Sequence, residues 1–206
     1  MIEQSTSMDS NPTPDQRAIR AHYDDDCITV YQAYSAEIAD AAVRAQKLSA
    51  SPAYRTTGRM TWIKPSFCWM MYRSGYSYKD ARQDRILALR MKHAHFERLL
   101  RQARLAHEPH AAGEAVIVQW DPERSPRLAR LPYRSLQVGI PPSIIPVWID
   151  EWIERIDDVT QTARKLKDRL DADDKLTTAE LVEAGLVPRE RPYTVADDIR
   201  ENLGMG

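Results

Sequence analysis

The stretch Cys27–Leu48, CITVYQAYSAEIADAAVRAQKL, decides the fold. Its first eight residues, Cys27 to Tyr34, are β-branched and aromatic, the composition of a strand. Ser35 is a favoured N-cap. Ala36 to Leu48 then carries Ile38, Ala42, Ala45 and Leu48 along one stripe, the spacing of an amphipathic helix. A strand that runs straight into a helix predicts a mixed chain, and the sequence on either side repeats the alternation.

Downstream, Arg59–Ile63 reads as a short strand. Pro65 then opens a helix over Ser66–Arg73 that is apolar almost all round and closes at Ser74-Gly75. Arg85–Met91 reads as a central strand. His93–His107 reads as an amphipathic helix with Phe96, Leu99, Leu100 and Ala103 inward. Glu114–Trp120 is a strand, Asp121-Pro122 a turn and Leu131–Gly139 another strand. Ser143–Asp157 has Ile145, Trp148, Ile149, Trp152 and Ile156 at helical spacing, and Thr160–Leu170 is a further helix. Upstream, residues 15–22 fit a short helix, and Asp24–Asp26 an acidic turn. The prediction is a single α+β domain over residues 15–170. A disordered leader over residues 1–14 precedes it, and a polar helical tail over residues 171–206 follows.

Composition bounds the function. Of 206 residues, 43% are hydrophobic and 29% charged, enough for a core. Neither a G-x-G-x-x-G nor a P-loop pattern occurs, so the usual nucleotide cradles are absent. There is no G-x-S-x-G elbow. His22, His93, His95, His107 and His110 lack metal-ligand spacing, so no metal is expected. Cys27 and Cys68 read as free buried thiols, and no apolar run is long enough to cross a membrane. The expectation is a soluble, cytoplasmic protein.

Net charge is −1, but its distribution is uneven. Residues 54–104 hold 12 Lys/Arg against 3 Asp/Glu, while both flanks are acidic. That basic middle is a candidate surface for DNA or RNA, or simply a solvated face. Within it, Trp62–Ser74 is the densest chemistry. Lys64 and Arg73 can hold a pyrophosphate, Ser66 at a helix start can meet an anion, and the aromatic rings can stack a base. Trp69 and Met70 fit a packed core. A second dense spot is Tyr133–Gln137, where Ser135 and Gln137 share one face of a strand and Arg134 points to the other.

The blocks IRAHYDDDCITVYQAYSAEIADAA, RMTWIKPSFCWMMYRSGY, VQWDPER and LPYRSLQVGI resemble the family called domain of unknown function 4291, over about residues 17–170. That family names no activity. A second resemblance is to ADP-ribosyltransferases. VYQAYSAEIADAA is similar to their first motif, WIKPS with its helix and the strand ILALRM to their second, and YRSLQVGI to the strand that carries their catalytic glutamate. This resemblance implies a split, mostly antiparallel sheet flanked by helices, with Gln32, Ser66 and Gln137 at the three motif positions. It implies NAD as the substrate, with its pyrophosphate near Lys64 or Arg73 and its nicotinamide on Tyr31, Tyr34 or Tyr72. Catalysis would fall to Gln137, Ser135 and Arg134, on an acceptor such as a nucleic-acid base. Gln137 stands where the family has glutamate, and an amide cannot act as a base. Two other functions compete: a non-catalytic nucleic-acid-binding module, and a protein-interaction module that docks through Trp148 and Trp152.

Overall fold

The computed structural model describes residues 15–55, 58–109 and 114–206; the expected leader over residues 1–14 and His110 lie outside them. The strand Cys27–Tyr34 (β2) and the helix Ala36–Ala45 (α1) form as the sequence predicts, with a 3₁₀ turn over Leu48–Ala50. Ahead of them is a two-residue strand, Arg20–Ala21 (β1), where a helix was expected. Thr61–Ile63 (β3) leads through Pro65 into the helix Phe67–Ser74 (α2). Ser66 caps α2 by accepting from Trp69 N, and Gly75 ends it in the left-handed region at φ 57°.

Arg85–Lys92 (β4) runs directly into His93–Arg101 (α3). The helix stops there, short of the predicted His107, because Ala103–Leu105 (β5) leaves it to pair in parallel with Val116–Arg124 (β6). β6 itself runs through Asp121-Pro122, where a turn was expected. A register shift between Pro122 and Arg124 absorbs the proline, so the ladder with Arg130–Ile140 (β7) continues past it.

The stretch Ser143–Asp157 is not one helix. Ile145–Val147 (α4) and a π turn over Trp148–Trp152 give way to the strand Ile153–Asp158 (β8). Ile153 and Ile156 keep the apolar spacing of a helix, but backbone pairing with β4 decides the conformation. Thr160–Ala172 (α5), Thr178–Glu183 (α6), Arg191–Pro192 (β9) and Asp197–Asn202 (α7) complete the chain.

Three sheets result, antiparallel except for the β5–β6 pair. One is β2-β4-β8, one is β3-β7-β6-β5, and β1 pairs with β9. The first two meet at an isolated bridge between Tyr31 and Lys64 and diverge beyond it. The protein is thus an α+β chain with a split sheet. β4 is buried on both faces. Leu87, Leu89 and Met91 join the larger core with Ile28, Val30, Val138 and Trp148, while Ile86 and Ala88 join a second core with Phe67, Met71 and Leu166. The stretch 171–206 also contributes to the larger core, through Tyr193, Val195, Ile199 and Leu203. Trp148 and Trp152 are buried within it, so the expected docking face of paired tryptophans is absent. No helix among the described residues is long and apolar enough to cross a membrane.

Candidate functional site

Where the two sheets diverge they leave a cleft of about 590 Å³. Gln32 and Tyr34 enter it from the end of β2, Lys64 from the residue after β3, Arg73 from α2 and Gln137 from β7. Residues 105 positions apart in the chain, Gln32 and Gln137, therefore share one cavity.

Gln32 is buried and fully engaged. Its Nε2 donates to Thr61 Oγ1 (2.8 Å) and to the Trp62 carbonyl (2.9 Å), and its Oε1 accepts from the Tyr34 hydroxyl (2.8 Å). It clamps β3 to β2 at the cleft wall. Gln137 is half-buried, and its amide has no hydrogen bond among the described residues, so it is free to meet a ligand.

Lys64 is the charged centre of the cleft and is 1% exposed. Its Nζ lies 2.7 Å from Asp121 Oδ2 and 3.4 Å from the centre of the Trp69 ring. Burial pulls its pKa down to about 8, against the pull of the Asp121 carboxylate in the other direction. Arg73 is held by the side chain of Gln83, which Asp80 holds in turn at 2.7 Å. Trp62 lies at the rim over Gly139. A Cβ at that glycine would stand 2.9 Å from Met60 Cε and from Trp62 Cη2, so the indole needs a residue without a side chain beneath it.

The remaining expected residues fall elsewhere. Tyr31 is on the opposite face of β2 from Gln32, packed edge-on against Phe67, because neighbouring strand residues alternate faces. Tyr72 lies on the outer side of α2, 42% exposed, with the Arg124 guanidinium 3.7 Å above its ring. Helical spacing takes Trp69, Met70 and Arg73 into the cleft and turns Tyr72 away. Arg134 is exposed on the outer face of β7 and reaches the Trp120 carbonyl at 3.3 Å. Ser135 is buried next to Asp121 in register, with no hydrogen bond to its hydroxyl, and does not line the cleft.

Ser66 also misses the cleft. Its hydroxyl caps α2 and donates to Glu123 Oε1 (2.8 Å), at the edge of a neighbouring cavity of about 590 Å³. Glu190 reaches the same helix start and accepts from Phe67 N (2.7 Å). Burial raises the pKa of both carboxyls, and the Glu123 charge raises that of Glu190 further.

Sequence reasoning missed Asp121, Gln119 and Gln83 in the cleft wall. The signal for the first two was present. Gln119, Asp121 and Glu123 alternate with Val118 and Trp120, the period of a strand with one polar face. Reading Asp121-Pro122 as a turn cut that pattern short.

The basic middle segment meets acids from both flanks. Lys92 pairs with Glu154 at 3.5 Å, Arg85 with Asp40 at 3.7 Å, and Arg90 and Arg101 with Asp24 and Asp198. Much of its excess charge is therefore compensated locally. Among the described residues no group of three or more His, Cys, Asp or Glu is placed to hold a metal ion.

A family model described as Domain of unknown function (DUF4291) matches residues 18–193. No curated protein matches the chain, and no solved structure does.

Proposed function

The chain belongs to that family of unknown function, and from its cleft we propose an NAD-binding enzyme of the ADP-ribosyltransferase kind. The observation that carries this reading is the convergence of Gln32, Lys64, Arg73 and Gln137, from four separate stretches, on one cavity at the divergence of a split sheet. The wall offers what a dinucleotide needs. The Arg73 guanidinium suits a pyrophosphate, while Lys64, first expected to share that role, is already paired with Asp121. The rings of Trp62, Trp69 and Tyr34 suit a nicotinamide or adenine. The unengaged amide of Gln137 suits ribose hydroxyls. Tyr34 and the two tryptophans take over the stacking first expected of Tyr31 and Tyr72.

The acceptor we favour remains a nucleophile from another molecule, with a nucleic-acid base as one class. The alternative of a non-catalytic nucleic-acid binder is less well supported, since Arg85, Arg90, Lys92 and Arg101 already face carboxylates. The two free thiols, Cys27 and Cys68, suit a reducing compartment such as the cytoplasm.

The test is NAD binding by calorimetry and thermal shift, followed by incubation of labelled NAD with RNA, DNA and protein. The expected result is an NAD-dependent rise in melting temperature that Gln137→Ala reduces, with release of nicotinamide. No thermal shift and no consumption of NAD would overturn the proposal.

A further inference from the structure

We propose that Asp121 is the catalytic carboxylate of the cleft and that Lys64 is its positioning residue, an assignment that rests on the NAD reading above. Among the described residues of the cleft wall, Asp121 is the one acidic side chain. It stands on β6 directly beside the strand that carries Gln137. In the β6–β7 ladder Gln119 faces Gln137 and Asp121 faces Ser135, so Gln119, Asp121 and Gln137 present to the same side of the sheet.

The carboxylate is held at both oxygens. Oδ2 accepts from Lys64 Nζ at 2.7 Å and Oδ1 from Gln119 Nε2 at 3.0 Å. Lys64 is fixed in turn by the Trp69 ring at 3.4 Å and by its own burial. Asp121 thus has one orientation, and its side chain is still 13% exposed at the cleft. The buried ammonium of Lys64 holds this carboxylate in place from one side. Such a fixed anion, in a partly dry cleft, needs little reorganisation when positive charge develops next to it.

The chemistry of the bond explains why an anion is needed. When the bond between ribose C1′ and the pyridinium nitrogen breaks, the electron pair leaves with nicotinamide, which departs neutral. The ribose carries the positive charge. A water or acceptor oxygen or nitrogen then bonds to C1′, and its proton passes to the Asp121 carboxylate and on to solvent. With water the products are nicotinamide, ADP-ribose and a proton. Gln137 can hold the ribose hydroxyls through this sequence, but its amide offers neither the negative charge nor a site for the proton. Asp121 supplies both from the neighbouring strand.

The full chain is assayed for NAD affinity by calorimetry and for nicotinamide release, as wild type and as Asp121→Asn. The expected result is a loss of release of roughly 100-fold, with NAD affinity changed less than about fivefold. Asp121→Asn removes the counter-charge of buried Lys64 and can unfold the chain. Lys64→Met alone and the pair Lys64→Met with Asp121→Asn are therefore measured alongside, and the pair is expected to release nicotinamide far more slowly than Lys64→Met. Lys64→Met leaves the Asp121 carboxylate without the cation that orients it, so kcat is expected to fall about tenfold while KM for NAD changes less than about threefold. An unchanged kcat, or a change confined to KM, overturns the positioning role. Release within threefold of the matched parent overturns the catalytic role, as does a wild-type chain that binds NAD without cleaving it. A wild-type chain that does not bind NAD overturns instead the reading on which both rest.

Discussion

Tyr31 and Lys64 exchange backbone hydrogen bonds, Tyr31 N to the Lys64 carbonyl at 2.8 Å and Lys64 N to the Tyr31 carbonyl at 3.3 Å, and this one bridge is where the two larger sheets meet. Its two side chains end among different neighbours. Tyr31 enters the core under α2, while Lys64 enters the cleft. The bridge therefore sets the depth of the cleft and fixes its buried cation relative to β2.

Gln32 and Gln137 should respond differently to truncation, although both line the cleft. Gln32→Ala strips partners from Thr61, the Trp62 carbonyl and Tyr34, and is expected to cost about 1–3 kcal/mol. Gln137→Ala removes a side chain without a protein hydrogen bond and should leave stability within about 0.5 kcal/mol. Urea unfolding separates the two, and equal losses would contradict the assigned roles.

Gly139→Ala tests the seat of Trp62. The new methyl group would meet the indole and the Met60 methyl at 2.9 Å. Trp62 is 38% exposed and can swing outward, so the expected stability change is about 1 kcal/mol or less. Ligand affinity should fall at least fivefold, with a shift in tryptophan emission. An unchanged spectrum and affinity would show that the indole does not form the cleft wall.

Lys64 carries a pH signature. Its pKa is about 8 in the fold against 10.5 for the free side chain, so above pH 8 the unfolded chain binds more protons at this position. The contribution of Lys64 to stability therefore rises with pH between about 8 and 10.5. Between pH 8 and 9 the wild type should gain about 1 kcal/mol relative to Lys64→Met. The comparison with that variant matters, because half-buried Cys68 and buried Tyr31 have raised pKa values and act in the opposite sense above pH 9 to 10. A flat difference between the two proteins would place the ammonium in water.

Glu190 has the reverse signature. Its carboxyl is pushed well above 4.5 by burial and by Glu123, so the folded chain holds its proton longer than the unfolded one. Stability from this group is present at low pH and is lost as pH rises from 4.5 through the raised value. Glu190→Gln keeps an acceptor for Phe67 N and should raise the melting temperature at pH 7 by a few degrees, with little change at pH 4. A lower melting temperature at pH 7 would mean that the carboxylate is better paired than its contacts indicate.

Local pattern was enough for most elements. The strand at Cys27–Tyr34, the helix closed by Gly75, the central strand β4 and the helix starting at Thr160 follow from residue type, period and caps within a few positions. Failures came where pairing with distant chain outweighed local preference. β5 cut a helical pattern short at Arg101, β8 took a segment with helical spacing, and β6 carried Asp121 through a proline that reads as a turn.

The candidate site divides the same way. Strand alternation already separated Arg134 from Gln137, and residue chemistry singled out Lys64 and Arg73. The amino-acid order thus determined which groups each strand and helix could present, because side-chain direction follows a fixed local period. Which of those groups meet was decided by the tertiary structure alone. The divergence of two sheets at Tyr31–Lys64, the rotation of α2 that withdraws Tyr72, and the Lys64–Asp121 pair all depend on burial and backbone pairing between residues far apart in the chain.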